Sequence, residues 1–481
     1  MRNPVLLALC LFYVTTPLIA QTLSRQEMEE DLRYLDKKIV NWYPGLGYYT
    51  PKEQYAVYQD SLRRALPDSL GYLPFYRQVT SLISQHKDGH IGATHRKKYS
   101  NKSTRYLPLH IRQADEKYYI VFNVSPDSNV CRGDEILSID GRPIKELHDL
   151  FADRFRTGAD SEIPTGRYFR NLLYFRSSYF NWFGEKDSVL VRYVPAVATD
   201  TITKYLRCQT STQAASYLKR RYIQDLSPSQ NLRLYELDEN NTTAILNVST
   251  FAKFEKKDPL NLKFKKRLKT VFKAIQDKGY ENLVIDLRSN GGGAVQNSGR
   301  LLSYLLPEPF SVMSGSTLKP KAIWPYLTMD LNPTMPFAFL FSYRWDKENK
   351  VWRTRKTKRK KFKPEKKYPF RGNLYLLSNG ASYSATVSVL AHVKNQGVGS
   401  IVGEMPGGAY WGDFAGRFKI IRLPNSKIRV RIPLKTLYHD VPPSDQLEIQ
   451  PNFPIATTYE DLITPGRDFG IDYVRKLITT N

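Results

Sequence analysis

Between residues 24 and 86 the apolar positions recur at helical spacing. Leu32, Leu35, Ile39 and Trp42 lie three to four residues apart, which places them on one face of a helix. Ser24, followed by Gln26, Glu27, Glu29 and Glu30, supplies a start. A hydroxyl meets the unpaired N–H groups, and acids face the positive end of the helix dipole. Pro44-Gly45 ends this helix. The pattern predicts a second helix over 52–66 and a third over 72–86. From about 106 to 195 the pattern changes to strands. Tyr118 to Val124 is rich in β-branched and aromatic residues. Ile136, Leu137 and Ile139 form another strand, and Asp140-Gly141 predicts the tight turn of a hairpin. Residues 196–235 read as a helical connector, with Ala214 to Tyr222 its strongest helical stretch. From about 242, strands (243–248, 283–287, 373–377, 400–402) alternate with helices (259–278, 296–306, 384–394). That alternation predicts an α/β layered core, interrupted by residues 308–370.

The first twenty residues add a different signal. Arg2 precedes an apolar run from Val5 to Val14, and Ala20 stands before Gln21. This is the pattern of a cleaved export signal. It predicts a protein that is periplasmic, extracellular or on the cell surface. The predicted domains are then a signal peptide (1–20), an N-terminal helical region (21–100), a β-rich domain (101–195), a helical connector (196–240) and a core (241–481) carrying the 308–370 insertion.

Composition narrows the classes. The chain has 481 residues, 41% hydrophobic and 25% charged, which excludes wholesale disorder. Three cysteines exclude a disulfide-stapled scaffold; whether Cys131 and Cys208 pair stays open. The net charge is +26, which favours an acidic partner or surface. Eight basic residues and one acid fall in 356–367. That run reads as a solvated loop, with an anionic surface as a candidate partner. Nucleic acid is not expected for an exported chain. The seven histidines show no metal-ligand spacing, so no metal and no cofactor are expected.

Three segments carry chemistry. In Asp286-Leu287-Arg288-Ser289-Asn290-Gly291-Gly292-Gly293 a hydrophobic strand runs into three glycines, which let backbone N–H groups approach a ligand. Asp286 and Arg288 read as a charged pair fixing that loop. In Ser378-Asn379-Gly380-Ala381-Ser382-Tyr383-Ser384-Ala385 a strand ends and a helix begins, so a serine hydroxyl meets the helix N-terminus, as a cap or as a nucleophile. Asp88-Gly89-His90 sets a histidine in a glycine turn, where it can act as a base.

Together these segments resemble the S41 serine peptidases, the C-terminal processing and tricorn-type proteases. VIDLRSNGGG resembles that family's strand and glycine loop, GASYSATVSVLAHVKNQGVGSIVGE its serine turn, and DGHIGAT its histidine motif. GDEILSIDGRPI resembles the central hairpin of a PDZ domain. The resemblance implies a ClpP/crotonase-like core of ββα units behind a PDZ-like domain. It places the nucleophile at Ser384, with Ser382 as the rival, and the base at His90. It places the oxyanion hole at the Ala385 N–H with Gly292 or Gly293. It puts the orienting acid at Asp445, with Asp440 as runner-up. Ala409 stands where many processing proteases carry a lysine base, so a Ser-Lys dyad is not available. In a PDZ-like domain, Leu107, Leu109 and Ile111 would line the peptide groove and a substrate C-terminus would be the ligand. The expected function is an exported serine endopeptidase acting on protein or peptide substrates. The alternative is a non-catalytic peptide- or lipid-binding protein on the same fold. Oligomeric state is not legible.

Overall fold

Ser24 accepts the Glu27 N–H and the Glu27 carboxylate accepts the Ser24 N–H. This reciprocal cap starts helix α1 (Arg25–Trp42) where the sequence predicts it. The computed structural model describes residues 22–97, 99–155, 159–223, 232–236, 242–252, 263–329 and 334–480. The predicted export signal lies outside these residues. Helices α2 (Lys52–Arg64) and α3 (Tyr72–Ser84) follow. Their buried faces share one core with Ile421, Leu423, Ile428, Val430 and Ile432 from the far end of the chain. A three-stranded antiparallel sheet, Phe418–Arg422, Arg429–Pro433 and Gly92–Thr94, makes this junction. The buried Asp31 carboxylate accepts the Asn425 and Ser426 N–H groups across it. The N-terminal helices therefore do not form a separate core, and the junction holds the segment around His90 against residues 418–433.

The second unit is an antiparallel sheet of β1 (Leu109–Ala114), β2 (Lys117–Asn123), β3 (Glu135–Ile139), β4 (Ser188–Val194) and β5 (Ile202–Arg207), in the order β5-β4-β3-β2-β1. Asp140 (φ 50°) and Gly141 (φ 75°) form the predicted turn. β5 falls where the sequence pattern predicts a helical connector; it pairs with β4 over its whole length. Helices α4 (Ile144–Arg154), α5 (Pro164–Leu173) and α6 (Phe175–Phe183) occupy a region whose pattern predicts strands. In α4, Ile144, Leu147, His148 and Phe151 are buried at i, i+3, i+4 and i+7, a helical period that the surrounding strand signals hide. Leu107, Leu109 and Ile111 are buried inside this unit's core. Their side chains fill the core and line no peptide groove, which corrects their assignment as peptide contacts. Cys131 is exposed and Cys208 is buried in the same core, and both are free thiols.

The core domain is a six-stranded sheet: β6 (Arg233–Glu236), β7 (Thr243–Asn247), β8 (Asn282–Asp286), β9 (Asn373–Ser378), β10 (Ser400–Gly403) and β11 (Phe453–Pro454), in that spatial order. β6 is antiparallel to β7, and the remaining pairs are parallel. Successive side chains alternate between two apolar layers, as a strand's period of two requires. Ala244, Leu246, Leu283, Ile285, Leu374 and Leu376 join the layer under α7 (Phe264–Asp277) and α8 (Val295–Leu305). Ile245, Val284, Tyr375 and Leu377 face the opposite layer. A parallel sheet buried on both faces is the α/β architecture the alternation predicts.

The 308–370 interruption is folded in its described parts. Met313–Leu318, Tyr343–Asp346 and Val351–Thr354 join Lys435–His439 and Gly412–Asp413 in a five-stranded sheet. Helix α9 (Met335–Ser342) precedes the second of these strands. The basic run is not a free loop. Lys361–Phe362 pairs with Phe310–Ser311, and Phe362 stacks on Phe310 at 5.5 Å. One aromatic anchors the run while most of its lysines stay exposed. On the core's two faces lie α10 (Ala385–Gln396), in the layer of α7 and α8, and α11 (Phe469–Thr480), in the other.

Candidate active site

β8 and β9 are parallel neighbours, so the glycine loop and the serine turn leave the sheet at the same edge. Several bonds fix them to each other. The Ser289 N–H donates to Asn379 Oδ1 at 2.9 Å, and the Tyr383 N–H to the Asn290 carbonyl at 3.0 Å. Ser382 Oγ donates to the Leu287 carbonyl at 2.8 Å and accepts the Asn379 N–H. Ser382 is fully buried in this tie, so the rival serine holds the turn and does not face the cleft. Arg288 donates to both Asp286 oxygens and both Asp468 oxygens. The expected Asp286–Arg288 pair is there, and it also clamps the start of α11. Burial alone would raise the Asp468 carboxyl, but Arg288 holds it below the usual range.

Ser384 sits immediately before α10 with φ 57° and ψ −122°. A positive φ is costly for a residue with a Cβ, and the side chain caps nothing. Its Oγ donates instead to Asp413 Oδ2 at 3.2 Å. The amides beside it are open: among the described residues, neither the Gly293 nor the Ala385 N–H has a hydrogen-bond partner. The Gly292 N–H, by contrast, donates to Asn290 Oδ1 at 2.9 Å. Of the three amides expected in the oxyanion hole, Gly292 is therefore committed within its own loop. Its role is steric. At φ 94°, an added Cβ would stand 2.7 Å from the Tyr383 carbonyl oxygen, 2.8 Å from Ser384 Cβ and 2.9 Å from the Ala385 nitrogen. Gly292→Ala is expected to cost about 2–4 kcal/mol of stability, through strain at a special backbone conformation. It should also lower kcat about 100-fold or more by moving Ser384 off its acceptor, Asp413 Oδ2, and away from the open amides. Denaturant unfolding and a peptide-cleavage assay check the two effects separately.

The Asp88-Gly89-His90 turn brings the imidazole to Ser384. Asp88 Oδ1 accepts the His90 N–H at 2.8 Å, and Asp88 Oδ2 accepts the Tyr43 hydroxyl at 2.9 Å. Asp88 thus shapes the turn. The His90 ring stacks on Tyr383 with centroids 4.6 Å apart. Its Nδ1 is 2.8 Å from the Tyr383 hydroxyl, which itself donates to Asp160 Oδ1 at 2.5 Å. A tyrosine hydroxyl has one proton. With that proton on the Asp160 side, Nδ1–H must be the donor to Tyr383, and the Nε2 lone pair is left bare. Nε2 faces Asp413 Oδ2 at 3.9 Å, the same oxygen that holds Ser384. Gly412–Asp413 pairs with Lys435–His439, and that pairing carries the carboxylate into the site.

The electrostatics follow from burial. Desolvation raises the Asp413 carboxyl, and His90 and Ser384 only partly offset it. Among the described residues, Asp413 Oδ1 is buried without a partner. Desolvation and the nearby Asp88 charge push Asp160 up to about 7. Burial pushes His90 down, but Asp88, Asp413 and Asp160 outweigh it, so its net shift is upward. One ligand atom each from Asp88, His90 and Asp160 lies within 4.8 Å of the others. All three are already engaged: Asp88 as above, His90 with Tyr383, and Asp160 with Tyr383 and the Gly89 and Ala409 amides. The cluster reads as a proton network. Ala409, which stands where a lysine base would be, serves here by donating its amide to Asp160.

The orienting acid predicted from sequence needs correction. Asp445 and Asp440 are both exposed, and neither bonds to His90 or Ser384 among the described residues. A surface turn of Pro442, Pro443 and Ser444 carries Asp445 into solvent. The carboxylates at the site are Asp413, Asp160 and Asp88. Asp160 and Tyr383 had no motif to mark them, although Tyr383 adjoins the serine. The signal for Asp413 was its neighbour Gly412. At φ 146°, a Cβ there would meet the Leu437 carbonyl oxygen at 2.0 Å, a close approach that only glycine tolerates. A cavity of about 580 Å³ opens over Ser384, His90 and Gly293, walled by Phe155, Tyr174, Phe418 and Leu437 with Arg170 and Arg431.

A strained serine beside open amides, a carboxylate and a histidine, at the edge of an α/β sheet, belongs to a serine-type peptidase. Residues 242–438 match the model of peptidase family S41. The fold extends further. The structure of mature CPAF complexed with lactacystin superposes with a TM-score of 0.71 at 17% identity, covering 95% of this chain and 98% of that one. Mature CPAF alone gives 0.70 at 16% identity, covering 95% and 97%. A sequence search of curated proteins found no match.

Proposed function

We propose that this chain is an exported endopeptidase working through a Ser384–His90 centre bridged by Asp413. The observation that carries the reading is the Ser384 hydroxyl. It is held at a strained helix start, donates to an oxygen that also faces His90 Nε2, and stands beside two open amides. Ser384 Oγ attacks the peptide carbonyl carbon. Its proton passes to Asp413 Oδ2 and on to His90 Nε2. The Gly293 and Ala385 N–H groups hold the developing oxyanion, a contribution of about 2.7–4 kcal/mol per donor in comparable sites. The C–N bond breaks as the proton returns along the same path to the leaving nitrogen. Water then attacks the acyl ester by the same route and releases Ser384. Tyr383 and Asp160 are positioning residues: they hold His90 in the tautomer that leaves Nε2 bare.

The pH dependence tests this arrangement. As pH falls through about 7, Asp160 takes up a proton, the Tyr383 hydroxyl loses its charged acceptor, and the upward-shifted His90 becomes imidazolium. Both changes remove the base. kcat/KM is expected to fall on the acid side with a limb near pH 7. In Asp160→Asn, one negative charge near His90 is gone, so the limb should move to lower pH while the plateau drops about tenfold or more. A limb that stays in place would remove Asp160 from the proposal.

Residues 101–195 remain in this reading as a PDZ-like unit that receives a substrate C-terminus. The strand edge of β1, which among the described residues pairs only with β2, would carry recognition through its backbone. Export rests on the first twenty residues, and N-terminal sequencing of the protein recovered from its native compartment tests it.

A further inference from the structure

Helix α9 has an unusual surface. Its residues 335–341 read Met-Pro-Phe-Ala-Phe-Leu-Phe, yet only Phe339 is buried. Phe337 is 77% exposed, Leu340 57% and Phe341 67%. Trp324, on the short helix Ile323–Leu327 packed beside α9, is 75% exposed, and Trp345 on the strand after α9 is 40% exposed. Single exposed apolar residues are ordinary. A surface helix that stays apolar on its outward face is not: such a helix normally turns one stripe to the core and a polar face to water. Basic side chains border the apolar face. Lys358 Nζ lies 3.5 Å from the Phe341 ring centroid, and Arg355 donates to the Leu340 carbonyl. Both belong to the basic stretch whose residues 356–367 hold eight Lys and Arg against one acid.

We propose that this face docks on an anionic lipid surface. Phe337, Leu340 and Phe341 would enter the boundary of headgroups and acyl chains, Trp324 and Trp345 would sit at headgroup depth, and Lys356 and Lys358 would meet lipid phosphates. Charge argues against a second copy as occupant. A two-fold contact presents the same patch on both sides, so two copies would press like-charged basic runs together, in a chain already at +26. An anionic bilayer supplies both the apolar medium and the countercharge. The face lies outside the catalytic residues, so docking adds to the peptidase reading without depending on it.

Flotation with vesicles tests the proposal on the full chain. The parent should float with phosphatidylcholine vesicles that contain phosphatidylglycerol and not with phosphatidylcholine alone, and added salt should weaken the association. The triple variant Phe337→Ser, Leu340→Ser and Phe341→Ser should bind at least about tenfold more weakly. The Lys356→Glu, Lys358→Glu variant should lose about tenfold as well. Unchanged peptide cleavage would show both variants folded, and the parent–variant difference isolates this face from any other apolar stretch. A parent that ignores phosphatidylglycerol, or a triple variant that floats like the parent, overturns the proposal. So does light scattering that shows a dimeric parent and a monomeric triple variant, which would give the face to a second copy.

Discussion

Replacing Ser384 with alanine should end peptide hydrolysis, with a fall in kcat of about 10⁴-fold or more. The hydroxyl donates to Asp413, and among the described residues the Gly293 amide in the same cleft and the Ala385 amide next in the chain have no partner. Ser382 cannot substitute, because it is buried with its proton on the Leu287 carbonyl. Binding of peptide to the cleft should survive. Stability supplies an independent reading of the same residue. Ser384 adopts φ 57°, where glycine carries no Cβ penalty. Ser384→Gly should therefore be inactive yet more stable than Ser384→Ala by about 0.5–1 kcal/mol. On the proposed mechanism, the chemistry of its hydroxyl accounts for a serine where glycine would be more stable. Activity assays and denaturant unfolding on the two variants separate strain from catalysis.

Asp413→Asn should have the next largest effect, a loss of about 10²–10⁴-fold in kcat with KM little changed. An asparagine of the same shape can accept the Ser384 hydrogen bond but cannot hold its proton or balance an imidazolium at His90. The stability effect has the opposite sign. Asp413 is buried, one of its oxygens has no partner among the described residues, and desolvation raises its carboxyl. A raised carboxyl favours the folded state when protonated, and that advantage is lost as pH rises through its folded value. At neutral pH the neutral amide should thus be more stable than the carboxylate by about 1 kcal/mol. A variant that unfolds more readily at neutral pH would contradict this account of the site.

The legibility of the site in the sequence depended on how local each signal was. The strand–glycine loop, the serine turn and the histidine turn are short segments whose backbone needs are written in consecutive residues. Those segments marked Ser384, His90, Gly293 and Ala385; the structure brings the first three to one cleft, and Ala385 follows the serine in the chain. The core strands were equally plain, because burial on both faces makes them continuous apolar runs. The sequence left Gly292 and Gly293 as alternatives, because which amide stays open depends on Asn290 turning its side chain back onto the loop. Asp413, Asp160 and Tyr383 were missed because their contacts with Ser384, His90 and one another exist only in three dimensions. Asp160 reaches the site from the unit before the core, 223 residues from its tyrosine partner. Asp413 arrives through strand pairing with residues 435–439. Asp445 looked right in linear order and lies on the surface. The helices of the second unit were hidden for a related reason, since short amphipathic turns were read through a window dominated by strand formers.

The measurement that bears most directly on the central claim is covalent labelling with a fluorophosphonate, followed by intact mass and peptide mapping. The account predicts one adduct per chain, on Ser384, absent from Ser384→Ala and formed far more slowly in both Asp413→Asn and His90→Ala. An adduct on Ser382, no adduct on the parent, or unchanged labelling in the Asp413 and His90 variants would contradict it.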